Sequence, residues 1–153
     1  MSKNILLGIT GSVAASKSEI LFGKVSKNNN VKIITTDAGS KYLTSEFLKN
    51  NEIISSWEDL QGSPHIELAR WAEVFLIYPA TANFISKMAM GIADDLLLST
   101  VLMYNDPIYL APAMHEEMYL NPIIQKNILE LSKNNIVCGP RFGNLDIGDT
   151  GYG

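Results

Sequence analysis

Residues 65–100, HIELARWAEVFLIYPATANFISKMAMGIADDLLLST, decide how this chain folds. Residues 74–78 within them are almost entirely apolar, which predicts a strand buried on both faces, as the strands of parallel sheets are. We expect this strand to stop at Pro79, and residues 79–83 then turn into a helix. Small, hydroxyl-bearing and amide-bearing side chains therefore follow the carboxyl end of a strand, where open α/β sheets bind ligands. This stretch is interpreted as a ligand site and not only as core.

Helices are predicted on both sides of this strand. His65, one of two histidines in the chain, stands at the start of a short helix. Ser63 is its predicted N-cap, and Pro64 suits the first helical position, where a missing N–H is tolerated. Asp94 and Asp95 precede another helix, and two roles are open for them: a helix cap or a part in the site.

Strand and helix patterns alternate along the rest of the chain. Apolar runs predict strands over residues 4–9, 31–36, 107–111 and 136–138. Apolar spacing predicts helices over residues 14–27, 38–48 and 121–133, while the less regular residues 50–62 are expected to cover an edge. The glycine-rich residues 139–153 are predicted to be a loop. This alternation predicts one α/β domain over residues 1–153, a three-layer, Rossmann-like (flavodoxin-like), doubly wound parallel sheet.

Bulk composition excludes several classes of protein. A net charge of −4 without a Lys/Arg cluster gives no electrostatic basis for binding nucleic acid. No apolar run approaches the roughly 18–20 residues of a membrane-spanning helix, and the N-terminus lacks a signal-peptide layout. A single cysteine, Cys138, excludes an intramolecular disulfide and a cysteine-rich zinc site. We expect a cytoplasmic protein that contacts neither nucleic acid nor membrane and holds no metal.

The first predicted strand leads into a glycine- and serine-containing turn and a helix. Backbone N–H groups at such a helix start, together with the Ser12 hydroxyl, are suited to a phosphate. The glycine spacing is not G-x-G-x-x-G, and the second strand ends in Thr35 and Thr36 where a dinucleotide fold would place an acid for the ribose. These features favour a phosphate or flavin mononucleotide over NAD. The alternative is a tight turn that simply requires small residues.

Five segments carry a resemblance to a known family. They are GITGSVAASK (8–17), HIELARWAE (65–73), PATANFISKMAMGIADDLLLST (79–100), APAMHEEMYLNP (111–122) and GNLDIGDTGYG (143–153). In this order they resemble the flavin-containing cysteine decarboxylases, and most of all the branch that acts on phosphopantothenoylcysteine in coenzyme A biosynthesis. The resemblance implies FMN at the carboxyl ends of the strands and a homotrimer with FMN at its subunit interfaces. It also implies oxidative decarboxylation of a C-terminal cysteine without net redox change.

The resemblance further implies roles for individual residues. His65 would be the catalytic base. The phosphate of FMN would be held by Gly11, Ser12, Val13, Thr35 and Thr36. The flavin would contact Thr81, Ala82, Asn83, Phe84 and Ala113, although Asn83 has the alternative role of a helix N-cap. Substrate would contact Met114, His115, Asn144 and Asp146.

Two positions depart from the family pattern. His115 stands where much of the family has an asparagine that binds the substrate carboxylate, and an imidazole can also donate to a carboxylate. Ile147 stands in the flap where the family usually has a cysteine that assists protonation and the return of reducing equivalents. Cys138 is not expected to replace it, because a small buried hydrophobic side chain is its predicted role.

Other functions and partners follow from the same resemblance. A peptidyl-cysteine decarboxylase and an FMN-binding regulatory protein without full turnover are the alternative functions. A phosphopantothenate–cysteine ligase, fused or separate, is the expected protein partner because such a domain follows in many bacteria. The chain ends within the flap, so both an excised domain and a truncated product are open interpretations.

Overall fold

The computed structural model describes residues 1–144 and 150–152. Its strands are β1 (Asn4–Ile9), β2 (Asn30–Thr35), β3 (Ile53–Ile54), β4 (Val74–Ala80), β5 (Tyr109–Pro112), β6 (Ile136–Val137), β7 (Phe142–Asn144) and β8 (Thr150–Tyr152). Its α-helices are α1 (Ala15–Val25), α2 (Asp37–Ser40), α3 (Ser45–Asn50), α4 (Pro64–Trp71), α5 (Ala82–Ala89), α6 (Leu96–Met103), α7 (Glu116–Leu120) and α8 (Pro122–Ser132). A short 3₁₀ turn covers Trp57–Asp59.

The described residues form a parallel sheet in the order β3-β2-β1-β4-β5-β6. Without the two-residue edge strand β3, the remaining order is that of flavodoxin-like folds, and the direction of winding reverses between β1 and β4. The predicted doubly wound α/β fold is confirmed. Residues 50–62 supply the edge strand β3, in accordance with their expected position at an edge.

Alternate residues of the central strands enter two separate cores. Leu6 and Phe75 pack with the helices α4, α5, α6 and α8 on one face. Leu7 and Leu76 pack with α1 and α3 on the other. Burial on both faces explains why these strands are continuously apolar in sequence.

Strand β4 does not stop at Pro79 as predicted; it continues to Ala80, which pairs with Pro112 of β5. The register shifts between Ile77 and Ala80, and the Tyr78–Pro79 peptide bond is cis. The proline carbonyl still accepts the N–H of Thr10 at 3.3 Å. A proline fits this strand because the irregular register does not require its missing N–H.

The single helix predicted over residues 38–48 is in fact two helices, α2 and α3. Thr44 interrupts the helix, because its N–H and hydroxyl donate to the carboxylate of Glu19 at 2.9 and 2.8 Å. The Thr44 hydroxyl oxygen also caps α3 by accepting the N–H of Phe47.

The C-terminal part of the chain differs from the prediction in two ways. Cys138 is exposed and not buried, because it follows the two-residue edge strand β6 with its N–H donating to Leu110 at 2.7 Å. The segment predicted as a loop contains an antiparallel pair, β7 with β8, and β8 approaches α7. Asp146 and Ile147 lie outside the described residues.

None of the helices in the described ranges is long and apolar enough to cross a membrane.

Candidate functional site

A cleft of about 420 Å³ opens at the carboxyl ends of β1, β2, β4 and β5. It lies where the winding reverses between β1 and β4, the position at which open α/β sheets bind ligands. Its volume falls within the range of small-molecule sites. The lining residues are Thr10, Gly11, Ser12, Thr36, Ala38, Thr81, Ala82, Asn83, Phe84, Lys87, Asp95, Leu98, Ala113, Met114 and Met118.

Thr10 joins the two strands that bound the cleft. Its hydroxyl donates to the carbonyl of Pro79 at 2.7 Å and accepts the N–H of Thr81 at 3.0 Å. The side chain is 1% exposed, so this link is shielded from water. Thr10 was not among the residues predicted from the sequence, although a hydroxyl-bearing residue directly between an apolar strand and a Gly-Ser turn could have indicated it.

The turn after β1 presents backbone donors at the cleft. The N–H groups of Gly11 and Val13 have no hydrogen-bond partner within the described residues, while the Ser12 hydroxyl oxygen accepts the N–H of Ala14 at 3.2 Å. Gly11 and Ser12 line the cleft, and Val13 is 57% exposed outside its lining. Unpaired N–H groups before a helix suit an anionic group.

The turn after β2 forms the adjacent wall. The Thr36 hydroxyl oxygen caps α2 by accepting the N–H of Gly39 at 3.0 Å, and a methyl group added at Gly39 would overlap the carbonyl oxygen of Ile9. Helix α2 therefore lies directly on the end of β1. Thr35 is buried outside the cleft lining, and its hydroxyl has no partner in the described part of the chain.

Helix α5 begins at the cleft with Thr81 as its cap, since the Thr81 hydroxyl oxygen accepts the N–H of Phe84 at 3.1 Å. The alternative role of Asn83 as the N-cap is therefore wrong. Asn83 lies in the first turn with its side chain exposed at the cleft, whereas Phe84 is 2% exposed.

Two charged residues also line the cleft: Lys87, which the sequence did not single out, and Asp95, for which a part in the site was one of the two open roles. Asp95 caps α6 by accepting the N–H of Leu98 at 2.7 Å, which confirms the cap interpretation for this residue. Burial raises the pKa of Asp95, with the charge of Asp94 adding and the Leu98 N–H opposing. Lys87 forms an ion pair with Asp94 at 2.7 Å. Lys87 comes from the last turn of α5, which the fold brings to the cleft.

His65 stands at the start of α4, as predicted. Because α4 runs antiparallel to the strand that follows it, His65 lies at the same edge of the sheet as the cleft, though outside the lining that the described residues form. Its ring packs against Trp57 at 4.9 Å between centroids. Ser63 occupies the N-cap position, but its side chain makes no capping bond within the described residues.

The loop after β5 brings the predicted substrate residues only partly together. Ala113 donates its N–H to Ala80 at 3.0 Å and lines the cleft with Met114. His115 is at the N-cap of α7, half-exposed outside the lining, and its Nδ1 pairs with the carboxylate of Glu117. Asn144 lies in β7, opposite Thr150.

Known proteins share both the sequence and the fold. Residues 1–153 match the family described as Flavoprotein. The chain is 38% identical to the coenzyme A biosynthesis bifunctional protein CoaBC of Haemophilus influenzae, over 99% of this chain and 40% of that protein. It thus spans about 40% of the length of this relative.

Two solved structures are similar over nearly the whole chain. A mutant PPC decarboxylase complexed with pantothenoylaminoethenethiol is 31% identical, with a TM-score of 0.90 over 100% of this chain and 90% of that one. The FMN-dependent cysteine decarboxylase SpaF is 28% identical, with a TM-score of 0.83 over 99% and 89%. These matches confirm the family resemblance that the sequence motifs indicated.

Proposed function

This chain belongs to the Flavoprotein family, and we propose that it is an FMN-dependent carboxy-lyase acting on 4'-phosphopantothenoylcysteine. The product is 4'-phosphopantetheine, in coenzyme A biosynthesis. The observation that carries the proposal is the cleft at the β1–β4 reversal, bounded by hydroxyl groups and by backbone donors that have no partner in the described ranges. Similarity to PPC decarboxylase over the whole chain supports this substrate.

The residues of the cleft fit FMN. The N–H groups of Gly11 and Val13, which lack partners in the described residues, would hold its phosphate together with the hydroxyls of Ser12 and Thr36. The segment 81–84 and the side chain of Leu98 would contact the flavin ring. FMN bound there would supply a hydride acceptor for the carbon that bears sulfur, and the substrate thioaldehyde formed by that oxidation would be an electron sink for loss of CO₂.

The protein's own groups handle protons and orientation. His65 takes the proton of the substrate thiol, which the oxidation of the neighbouring carbon requires. His115, held by Glu117, donates a hydrogen bond to the substrate carboxylate. This contact orients the carbon–carbon bond that breaks when CO₂ leaves. Completion of the reaction would require a proton for the enethiol that remains after loss of CO₂, and the sequence around Ile147 offers no thiol to supply it.

We also propose that the active protein is a homotrimer whose clefts are completed by neighbouring subunits. His65 lies outside the cleft lining of its own chain as far as the described residues extend. Val13 and Met118 at the cleft are 57% and 50% exposed, so both present apolar surface that a neighbouring subunit would cover. A ligase domain, fused or separate, is the proposed further partner because the CoaBC relative is a bifunctional protein more than twice as long.

The proposal is tested by reconstituting the purified protein with FMN and adding phosphopantothenoylcysteine. We expect FMN alone to be retained, as identified by chromatography of the released cofactor, and CO₂ to form with the thiol product. A dinucleotide in place of FMN, or no flavin at all, would overturn the cofactor assignment. Flavin binding without CO₂ would favour a regulatory protein.

A second candidate is decarboxylation of peptides that end in cysteine, which present the same reacting group; SpaF, an FMN-dependent cysteine decarboxylase, shares the fold at 28% identity. A peptide with a C-terminal cysteine should therefore be assayed beside phosphopantothenoylcysteine. A higher kcat/KM for the peptide would assign the chain to this second class.

A further inference from the structure

The imidazole of His65 has an unusual environment for a residue proposed to transfer protons. Its Nδ1 is buried and has no hydrogen-bond partner among the described residues. A working histidine is usually oriented by a hydrogen bond from one ring nitrogen to a carbonyl or carboxylate, which fixes the tautomer and leaves the other nitrogen free. In the described part of this protein, another contact must orient the ring.

That contact is with Trp57. The two ring centroids are 4.9 Å apart and the planes cross at 69°, which is the edge-to-face arrangement that aromatic rings prefer. Trp57 is 44% exposed, so it contributes only part of its surface to the core. The contact with His65 is therefore made by an indole that stays partly open to solvent.

The turn that carries Trp57 is itself held in place by Asp59. The carboxylate of Asp59 accepts the N–H groups of Ser55 and Ser56 at 2.6 and 3.0 Å, and the Ser55 hydroxyl at 3.2 Å. These bonds hold the pKa of Asp59 below its ordinary value. The indole is therefore carried by a turn that these hydrogen bonds close.

We propose that Trp57 is the positioning residue of His65. Its indole face covers the Nδ1 edge of the imidazole and accepts the Nδ1–H, in place of the usual carboxylate or carbonyl. An N–H directed at an aromatic face is a weak attractive contact. The proton stays on Nδ1, and Nε2 keeps the lone pair that receives the substrate proton. This inference rests on the base role assigned to His65 under the proposed function.

Steady-state kinetics of the FMN-loaded protein test this role with three variants. Trp57→Leu removes the aromatic face and Trp57→Phe retains one. Trp71→Phe is the matched control, because Trp71 is the other tryptophan of the chain. Misplacement of a reacting group costs up to about 10²-fold, so we expect Trp57→Leu to lower kcat by roughly 10- to 100-fold with little change in KM. Trp57→Phe should recover most of the loss, and Trp71→Phe should stay near the parent.

A readout independent of activity comes from the ¹⁵N chemical shifts of the histidine rings. The chain has only two histidines, so a His115→Asn sample assigns both. We expect the neutral His65 ring to carry its proton on Nδ1 in the parent and in Trp57→Phe, and to become a mixture of tautomers in Trp57→Leu. Trp57→Gln, which is also ring-free and polar, replaces Trp57→Leu if the latter does not fold.

The outcomes separate this inference from the proposed function. A ring-free variant with unchanged kcat, or with unchanged His65 shifts, overturns the role of Trp57. Equal losses in Trp57→Phe and Trp57→Leu overturn it too, because an aromatic face would then not suffice. If the parent itself releases no CO₂, the proposed function fails, and the ¹⁵N shifts still decide whether Trp57 fixes the imidazole.

Discussion

At the scale of single residues, His65 carries the proposed proton transfer, so its replacement gives a direct prediction. His65→Asn keeps a polar side chain but removes the base. Because His65 lies outside the cleft lining of its own chain in the described residues, we expect FMN affinity to be unchanged. Single-turnover release of CO₂ should fall by about 10²- to 10⁴-fold, the contribution typical of a general base. A rate within a few-fold of the parent would remove His65 from the mechanism.

Ile147 gives a second prediction at this scale, from sequence alone. An isoleucine cannot protonate the enethiol, so either water or one of the flap carboxylates, Asp146 or Asp149, does so, or the reaction stalls with reduced flavin. We expect slow but complete recovery of the flavin absorbance after one turnover. Ile147→Cys should speed that recovery by roughly 10²-fold, the lower range for a positioned proton donor.

Stopped-flow absorbance with phosphopantothenoylcysteine measures this recovery. Release of CO₂ with a permanent loss of flavin absorbance would contradict complete turnover. If recovery is unaffected by Asp146→Ala, Asp149→Ala and the double variant, the flap carboxylates are not the proton source.

At the scale of elements, the cap of α6 links stability to pH. Burial raises the pKa of Asp95 in the folded protein, so its protonated form is favoured by folding. The corresponding stability is present below the ordinary Asp range and is lost as pH rises through the folded pKa. Asp95→Asn, which retains the capping oxygen without the charge, should therefore gain in Tm relative to the parent as pH rises from 3 towards 7.

Two further variants distinguish the effect of the Asp95 charge on stability from the effect of its capping hydrogen bond. Asp95→Ala should lose about 1 kcal/mol in the free energy of unfolding, because the Leu98 N–H loses its acceptor. Asp94→Asn, which breaks the exposed ion pair with Lys87, should change it by less than about 1 kcal/mol. If Asp95→Asn instead becomes less stable than the parent as pH rises, the charged form of Asp95 stabilises the folded protein and the prediction is wrong.

Elements that rest on local signals were predictable from sequence, whereas those set by distant contacts were not. The apolar run of β4 and the capped start of α6 are local, and both were found. The break between α2 and α3 depends on Glu19, which bonds to Thr44 across 25 positions in the sequence, so local spacing could not reveal it. Cys138 is exposed because β6 is a short edge strand, and strand order cannot be derived from local sequence alone.

The residues of the cleft also divide into those with a local sequence signal and those placed by contacts distant in sequence. Ser12 and Thr36 follow strand ends directly, so the rule for parallel sheets and the family motifs found them. Thr10 acts through a hydrogen bond to Pro79 on another strand, and Lys87 reaches the cleft from the last turn of α5. Such residues become visible only once the strands are ordered.

At the scale of the whole molecule, the proposed homotrimer predicts the mass of the assembly. Light scattering of the FMN-loaded protein should give three times the mass of one chain, or a multiple of that. Val13 and Met118, exposed at 57% and 50% beside the cleft, should become protected from hydrogen exchange and surface labelling only in the assembled form. A flavin-loaded monomer with full activity would contradict the trimer.

A stricter test asks whether one active site uses two chains. Asn83→Trp should block the cleft without disturbing the core, because Asn83 is exposed and lines the cleft. Each variant alone, Asn83→Trp or His65→Asn, should be inactive. In mixed assemblies from co-expressed chains, about a quarter of the interfaces of a cyclic trimer would pair an intact cleft with an intact His65. If neighbouring subunits share the site, CO₂ release should recover to that fraction of the parent rate. If His65 serves the cleft of its own chain, every site carries one defect and the mixture stays inactive.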